Sequence, residues 1–206
     1  MHNSSASSPA ELETAWRALA ALHANTAEIP VYWEQVEPQE GRFDLAIVDD
    51  LLTGARARGL RLVLLWFGTW KNGMMKYAPA WVKGDPQRFR RVISPAGVPL
   101  AVLSSHCQAN EDADRRAFCA LLEHLRRHDG DERTVIAVQV ENEPGILGSD
   151  RDYSPEAERQ FQAPVPPGLI EALKRGPGAY VHALWQATGA PESGSWPEVF
   201  GPSAGE

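Results

Sequence analysis

The stretch VIAVQVENEPG, Val135–Gly145, passes from apolar side chains to two carboxylates with no turn between them. Its first part is a continuous apolar run, which is typical of a strand buried on both faces in a parallel sheet. A proline and a glycine would be enough to end such a strand. The residues Glu141, Asn142 and Glu143 that precede them therefore need a separate explanation.

The rest of the chain alternates between helical and strand-like patterns. The sequence predicts helices from Ser8, from Phe43 towards Gly59, from about Glu111 to His128 and over Pro167–Arg175, and strands over Asn25–Trp33, Leu60–Gly68 and Thr134–Glu141. Helices that alternate with strands buried on both faces indicate a parallel α/β architecture. The stretch Thr69–Asn110 has no clear period, and a loop of this length in a compact domain is usually functional.

The composition excludes several classes of partner. The chain has 206 residues, of which 43% are hydrophobic, and this balance suits one globular domain. A formal net charge of −7 argues against nucleic acid and acidic membrane surfaces. The longest apolar run, Leu62–Gly68, is too short to cross a bilayer, and the opening MHNSSASS has no signal-peptide pattern, so localisation stays open.

The acidic end of the predicted strand can perform acid–base chemistry. Active sites of parallel β/α barrels lie at the carboxyl ends of the strands, where Glu141, Asn142 and Glu143 fall. If the strand stays regular, Glu141 and Glu143 share one side. A carboxylic acid with a raised pKa can protonate a leaving oxygen while an amide binds a neighbouring hydroxyl. From the spacing alone, a solvated acidic turn explains the residues equally well.

Three segments, in this order along the chain, resemble glycoside hydrolases built on (β/α)8 barrels. VYWEQVEPQEGRFDL, Val31–Leu45, resembles the strand-two segment of families 35 and 42, the β-galactosidase group. LVLLWFGTWKNG, Leu62–Gly73, followed by APAWVK, resembles the strand-three segment of family 35, and VQVENEPG resembles the strand-four signature of the retaining clan. From about His2 to the region of Trp196, the chain resembles a divergent branch of family 35.

This resemblance implies a fold, an activity and a set of site residues. It implies that residues 1–206 are part of a TIM (β/α)8 barrel, roughly barrel strands two to four with their helices, without the first strand and the C-terminal units. It implies a retaining hydrolase of terminal β-galactosides in oligo- or polysaccharides, with Glu143 as general acid/base and Asn142 on the 2-hydroxyl of the substrate. Further substrate-binding candidates are Tyr32, Trp33, Trp70, Lys71 and Asn72.

The nucleophile is not assigned. A retaining enzyme needs a second carboxylate about 5 Å from the first, and in the resembled clan it ends barrel strand seven. Glu198 is expected in a loop rich in proline and glycine, and Glu206 is the last residue. Neither follows an apolar strand run, so neither is acceptable. We therefore expect a fragment of a longer enzyme, inactive alone and prone to self-association through unpaired strand edges.

Two positions depart from the family 35 pattern and leave the sugar open. Thr69 stands where that family has a galactose-binding Glu, and Pro30 replaces a Tyr for which Tyr32 could substitute. The alternatives are a β-glycosidase of the same clan that acts on mannan or glucan, and an inactive carbohydrate-binding remnant.

The remaining polar candidates have structural explanations. Glu37 is expected to organise the loop before Pro38 rather than to do chemistry. His124 and His128 stand four residues apart on a predicted helix and could bind metal, but the ordinary amphipathic pattern of that helix favours a solvated face. We expect no metal and no cofactor, a carbohydrate as substrate, and neither nucleic acid nor membrane as partner.

Overall fold

The computed structural model describes residues 8–176, 179–201 and 204. Two positions named above, His2 and Glu206, lie outside these residues. The chain divides into two compact units, the first formed by Met1–Arg91 with Ala101–Leu147 and the second by Val92–Leu100 with Gly148–Glu206. The predicted catalytic residues all belong to the first unit.

Helices and strands follow one another as the alternating sequence pattern predicts. In chain order they are α1 (Pro9–Ala21), β1 (Thr26–Tyr32), α2 (Trp33–Val36), α3 (Ala46–Arg56), β2 (Arg61–Lys71), α4 (Ala80–Lys83), β3 (Arg91–Ile93), β4 (Pro99–Leu103), α5 (Gln108–His128), β5 (Val135–Asn142), α6 (Pro155–Phe161), α7 (Pro167–Arg175), α8 (Ala179–Ala187) and α9 (Trp196–Phe200). Among the described residues, none of these helices has the length and apolarity needed to cross a membrane.

The first unit is built on a parallel sheet in the order β1-β2-β5. These strands correspond to the barrel strands two, three and four that the sequence predicts, and the α/β architecture is confirmed. Leu62, Leu64 and Trp66 of the central strand are buried and pack with the apolar faces of α3 and α5. Burial of each such side chain contributes about 1.5–3 kcal/mol, which explains why the central strand is apolar.

The turn between α5 and β5 depends on one buried carboxylate. Asp129 accepts hydrogen bonds from the backbone N–H groups of Thr134 (2.9 Å) and Val135 (2.7 Å). It also accepts one from the Arg56 guanidinium of α3 at 2.6 Å. These bonds lower the pKa of Asp129 even though burial acts to raise it. The start of β5 is therefore tied to α3 as well as to β2.

The long aperiodic stretch contains short regular elements that the sequence analysis missed. β2 continues to Lys71, beyond the predicted end at Gly68, and α4, β3 and β4 follow before α5. β3 and β4 pair with each other at the point where the chain passes from the first unit to the second and returns. Elements of three to five residues are too short to produce a recognisable hydrophobic period.

The second unit combines helices α6 to α9 with the Val92–Leu100 segment, which contains parts of β3 and β4, and has a small core of its own. α7 spans Pro167–Arg175 as predicted. One cluster of buried residues in this unit consists of Val165, Ile170, Leu173, Trp185, Val199 and Phe200. Glu198 does not lie in a loop, as the sequence analysis expected, but in α9, where it forms a capping box with Ser195.

β5 is an edge strand of the parallel sheet and carries exposed apolar side chains. It lies at one end of the strand order, and its apolar residues Ile136 and Val140 are 57% and 60% exposed. An unpaired strand edge that carries exposed apolar side chains is a template for pairing with another chain.

We propose that isolated copies of this chain associate through β5. Sedimentation velocity should show concentration-dependent oligomers, and Val140→Lys should shift the distribution towards monomer because a charge opposes edge pairing. Val98→Lys, at a 54% exposed position in the β3–β4 turn, is the matched control and should leave the distribution unchanged. A monomer at every concentration, with a sharply cooperative melt, would contradict the proposal.

Candidate active site

The carboxyl ends of β2 and β5 bring together residues that are far apart in sequence. After a register shift between Leu62 and Val63, the pairing of the two strands is regular up to Trp66 and Val140. It is then interrupted again and resumes with Lys71 opposite Asn142. The Lys71 ammonium donates a hydrogen bond of 2.6 Å to the Asn142 side-chain oxygen, and it also contacts the Asn72 side-chain oxygen. This edge therefore unites three predicted site residues.

Lys71 is an unusually buried cation. Only 5% of the residue is exposed, and its ammonium lies 5.0 Å from the centre of the Phe67 ring. Burial lowers the pKa of Lys71, whereas the nearby Glu143 carboxylate acts to raise it. The cation is held by two amide oxygens and one aromatic face, and it feels the charge of Glu143, which is a suitable setting for orienting polar ligands.

Glu141 and Glu143 occupy different environments. Both have left-handed backbone conformations, with φ of 62° and 50°, so the strand is not regular at this point. The alternation of side chains along a regular strand therefore ends here, and it no longer places Glu141 and Glu143 on the same side. Glu143 is exposed, whereas Glu141 is half-buried and lines a cavity of about 440 Å³.

The Glu141 carboxyl connects β5 to the extension of β2. Its oxygens accept hydrogen bonds from the backbone N–H groups of Thr69 (3.1 Å) and Trp70 (2.8 Å). A second carboxylate, Asp114 of α5, also accepts from the Thr69 N–H at 2.8 Å and contacts the Thr69 hydroxyl. The Trp66 indole donates to Asp114 at 2.8 Å. Two acidic side chains thus meet at one backbone amide.

This proximity has an electrostatic consequence. Burial, followed by the hydrogen bond and the charge of Asp114, raises the pKa of Glu141 to about 9, against the opposing effect of the Trp70 and Thr69 N–H groups. Two adjacent carboxylates in a partly dry site cannot both ionise without a large cost, so Glu141 is protonated at neutral pH. A neutral Glu141 can donate its proton to the Asp114 carboxylate.

Close approach of Asp114 to the strand requires a glycine. A Cβ atom on Gly68 would lie 2.6 Å from both Asp114 oxygens and 2.4 Å from the Trp66 indole nitrogen. Such distances exclude any larger residue unless the carboxylate or the indole moves. The small residue at the predicted end of β2 therefore marks this contact and not the end of the strand.

The cavity that Glu141 lines lies on the side of the sheet where α5 packs. Its volume is within the range of about 300–1,000 Å³ usual for small-molecule sites. Trp66, Trp70 and Phe118 provide aromatic walls, and Asp114 and Glu141 provide polar ones. Of the predicted substrate-binding residues, Trp70 contributes to this lining.

The aromatic candidates at the junction of β1 and α2 lie inside the protein. Tyr32 is 1% exposed and Trp33 is 0% exposed, so neither presents a face to solvent. The Trp33 indole donates to Glu37 at 3.0 Å, and the same carboxylate accepts the Gly41 N–H at 2.7 Å. Glu37 is fully buried and organises this loop, as predicted.

The sequence analysis missed Asp114, which lies between Ala113 and Ala117 on the buried face of α5. An acidic residue on a mainly apolar helical face indicates a buried partner. That signal was present in the sequence, but the identity of the partner was not.

Comparison with known proteins identifies the family. Residues 5–202 match the family model of glycoside hydrolase family 42, described as β-galactosidase. The chain belongs to this family. Family 42 replaces the predicted family 35, and the departures at Thr69 and Pro30 agree with this correction. The strand-two segment, which resembles both families, had pointed to family 42 as well.

The individual relatives that the chain matches are longer than this chain. A curated β-galactosidase from Xanthomonas manihotis is 32% identical over 160 residues, which is 74% of this chain and 24% of the relative. A β-galactosidase structure from Marinomonas ef1 superimposes with a TM-score of 0.61 at 17% identity. The match covers 89% of this chain and 26% of the Marinomonas chain. The β-galactosidase structure from Halorubrum lacusprofundi also superimposes with a TM-score of 0.61, at 18% identity. The match covers 98% of this chain and 27% of the Halorubrum chain.

The chain thus spans about a quarter of the length of the relatives it matches. The structural similarities, at less than 20% identity, support the partial TIM-barrel fold. The family match identifies the chain as part of a glycoside hydrolase.

Stability should depend on pH through Glu141. Its pKa is raised from 4.5 to about 9 in the folded state, so the folded protein binds this proton more tightly than the unfolded chain. The free energy of unfolding should therefore fall as pH rises from about 5 to about 9, by at most about 1.4 kcal/mol per pH unit for one proton. Urea unfolding over this range measures the slope.

Glu141→Gln should remove this slope, because the amide keeps its hydrogens at every pH. Glu143→Gln, two residues away at an exposed position, is the control and should retain the slope. Equal slopes in the wild type and in Glu141→Gln would contradict the assignment of the proton.

Proposed function

We propose that this chain is part of a retaining β-galactosidase and carries its general acid/base, Glu143. The observation that carries the proposal is the position of Asn142 and Glu143. They stand at the carboxyl end of a parallel strand, beside the buried Lys71, in a chain that belongs to family 42. In barrels of this kind, that end of the strands carries the catalytic groups.

The proposed role of Glu143 has two steps. First, its carboxylic acid donates a proton to the glycosidic oxygen while the bond between that oxygen and the anomeric carbon breaks and a second carboxylate attacks that carbon. Next, the Glu143 carboxylate takes a proton from water, and the oxygen of that water displaces the enzyme carboxylate from the sugar. Exposure of Glu143 is compatible with both steps, because the leaving group and the water must reach it.

The attacking carboxylate is not assigned to a residue that the structure describes. Glu37 is fully buried and hydrogen-bonded to Trp33 and Gly41, and Glu34 is paired with Lys83 at 3.3 Å. Glu198 caps α9. These contacts give each of the three carboxylates a structural role.

The neighbours of Glu143 suit sugar hydroxyls. The Asn142 oxygen accepts from Lys71, so its N–H₂ group is the part of the amide that can donate to a 2-hydroxyl. Asn72 is exposed beside the same ammonium, and the half-buried Trp70 offers an indole face. We propose that these four residues contact substrate, and that the buried Tyr32 and Trp33 support them by packing beneath this edge.

The sugar specificity can be tested with a panel of nitrophenyl β-glycosides. The assay uses the complete open reading frame that contains this chain, and the galactoside should be turned over fastest. Turnover of only the mannoside or the glucoside would replace galactose with another sugar. Binding of galactose without turnover of any glycoside would favour a carbohydrate-binding remnant.

The acid/base role predicts a dependence on the leaving group. In the same protein, Glu143→Gln should slow galactosides with poor leaving groups by about 10²–10⁴-fold, because these substrates need protonation. Galactosides with good leaving groups should be slowed much less in their first step. Steady-state kinetics over a series of substituted phenyl galactosides measures this difference.

Glu28→Gln, an exposed carboxylate at the start of β1, is the control and should leave all these rates unchanged. Equal slowing of Glu143→Gln across the series would show that Glu143 is not the acid.

A further inference from the structure

Three side chains capable of binding metal meet between α3 and α5, away from the proposed active site. His124 and His128 lie one helical turn apart on α5, with ring centroids 4.3 Å apart. Asp49 of α3 places one carboxylate oxygen 2.7 Å from the His124 Nε2. One possible ligand atom from each of the three residues lies within 4.8 Å of the other two.

These distances suit a single small cation. In a tetrahedral zinc site with bonds of about 2.0–2.1 Å, two ligand atoms are about 3.3 Å apart. The Asp49–His124 distance must lengthen slightly to admit an ion, and the exposed His128 ring must turn towards it. Both changes need only side-chain motion, since Asp49 and His128 are exposed.

The two helices are already fixed relative to each other near this cluster. Arg56, seven residues after Asp49 on α3, donates to the His128 carbonyl at 2.9 Å and to the Asp129 carboxylate at 2.6 Å. His124 is only 8% exposed. The ligands are therefore presented together by the fold, which reduces the ordering needed when an ion binds.

Burial corrects the sequence-based interpretation of this pair. The helix pattern predicted that His124 and His128 occupy a solvated face, and this is wrong for His124, which is buried and hydrogen-bonded to Asp49. The third ligand comes from a different helix, 75 residues earlier in the chain, so its presence could not be inferred from helical spacing.

We propose that Asp49, His124 and His128 form a binding site for a first-row transition-metal dication, with Zn²⁺ as the best match. Two imidazole nitrogens and one carboxylate oxygen suit Zn²⁺, Co²⁺ and Ni²⁺, whereas Mg²⁺ and Ca²⁺ prefer shells made of oxygen. The exposure of two of the three residues lets water complete the coordination.

The ion would act as a cross-link between α3 and α5 and not as a catalyst. His128 ends α5 and leads through the Asp129 turn to the start of β5, whereas Asn142 is the last residue of that strand and Glu143 follows it. A metal that binds the folded chain and not the unfolded one raises thermal stability by mass action.

Zinc titration of the whole chain, first freed of metal with a chelator, tests the proposal. Competition with a chromophoric chelator should show one Zn²⁺ bound per chain, and Zn²⁺ should raise the midpoint of thermal unfolding while Mg²⁺ does not. His128→Ala and Asp49→Asn change exposed positions, and retained circular dichroism would show that each variant folds. Each should weaken zinc affinity by at least about tenfold and reduce the rise in the unfolding midpoint.

His182→Ala is the matched control, because His182 is another helical histidine, on α8, and is not part of the cluster. This variant should bind Zn²⁺ as the wild type does. Unchanged affinity in both His128→Ala and Asp49→Asn, or an equal loss in His182→Ala, would overturn the proposal. A thiolate-to-metal charge-transfer band with Co²⁺ would also overturn it, since that band would place the ion at the exposed Cys119.

Discussion

The proposed site depends on the hydrogen bonds that the Glu141 carboxyl makes to the Thr69 and Trp70 amides. Parallel pairing between β2 and β5 is interrupted after Trp66, and these bonds connect the two strands across the interruption. They support the extension of β2 as far as Lys71, whose ammonium donates to the Asn142 side-chain oxygen. Beyond these bonds the backbones meet again, because Lys71 pairs with Asn142 and the Gly73 N–H donates to the Glu143 carbonyl at 3.2 Å.

The same interaction separates the two glutamates by role. Asp114 and partial burial keep Glu141 protonated at neutral pH, so it can bond another acid without repulsion. Glu143 faces solvent beside the Lys71 cation, where a carboxyl group can exchange protons with a substrate or with water. A pair that looks symmetrical in sequence therefore consists of one structural acid and one proposed catalytic acid.

The second level of organisation is the helix layer behind the sheet. Arg56 and Asp129 tie the end of α3 to the start of β5, and the same contacts place Asp49 near the two histidines of α5. The apolar side chains of Ile136 and Val140 on β5, in contrast, form a surface that the described chain leaves uncovered. The chain covers only about a quarter of the length of its relatives, and parallel barrels normally cover both faces of such strands.

The sequence by itself determined the order of the main helices and strands, the parallel architecture and the glycosidase character. Those features follow from hydrophobic periodicity, from helix capping at Ser8 and from short motifs, all of which act over a few residues. The tertiary structure alone decided that Glu141 meets Asp114, that Lys71 is buried beside Asn142, and that Trp33 packs inside. Each of these depends on contacts between distant segments, and hydrophobic periodicity carries no information about which distant polar groups will meet.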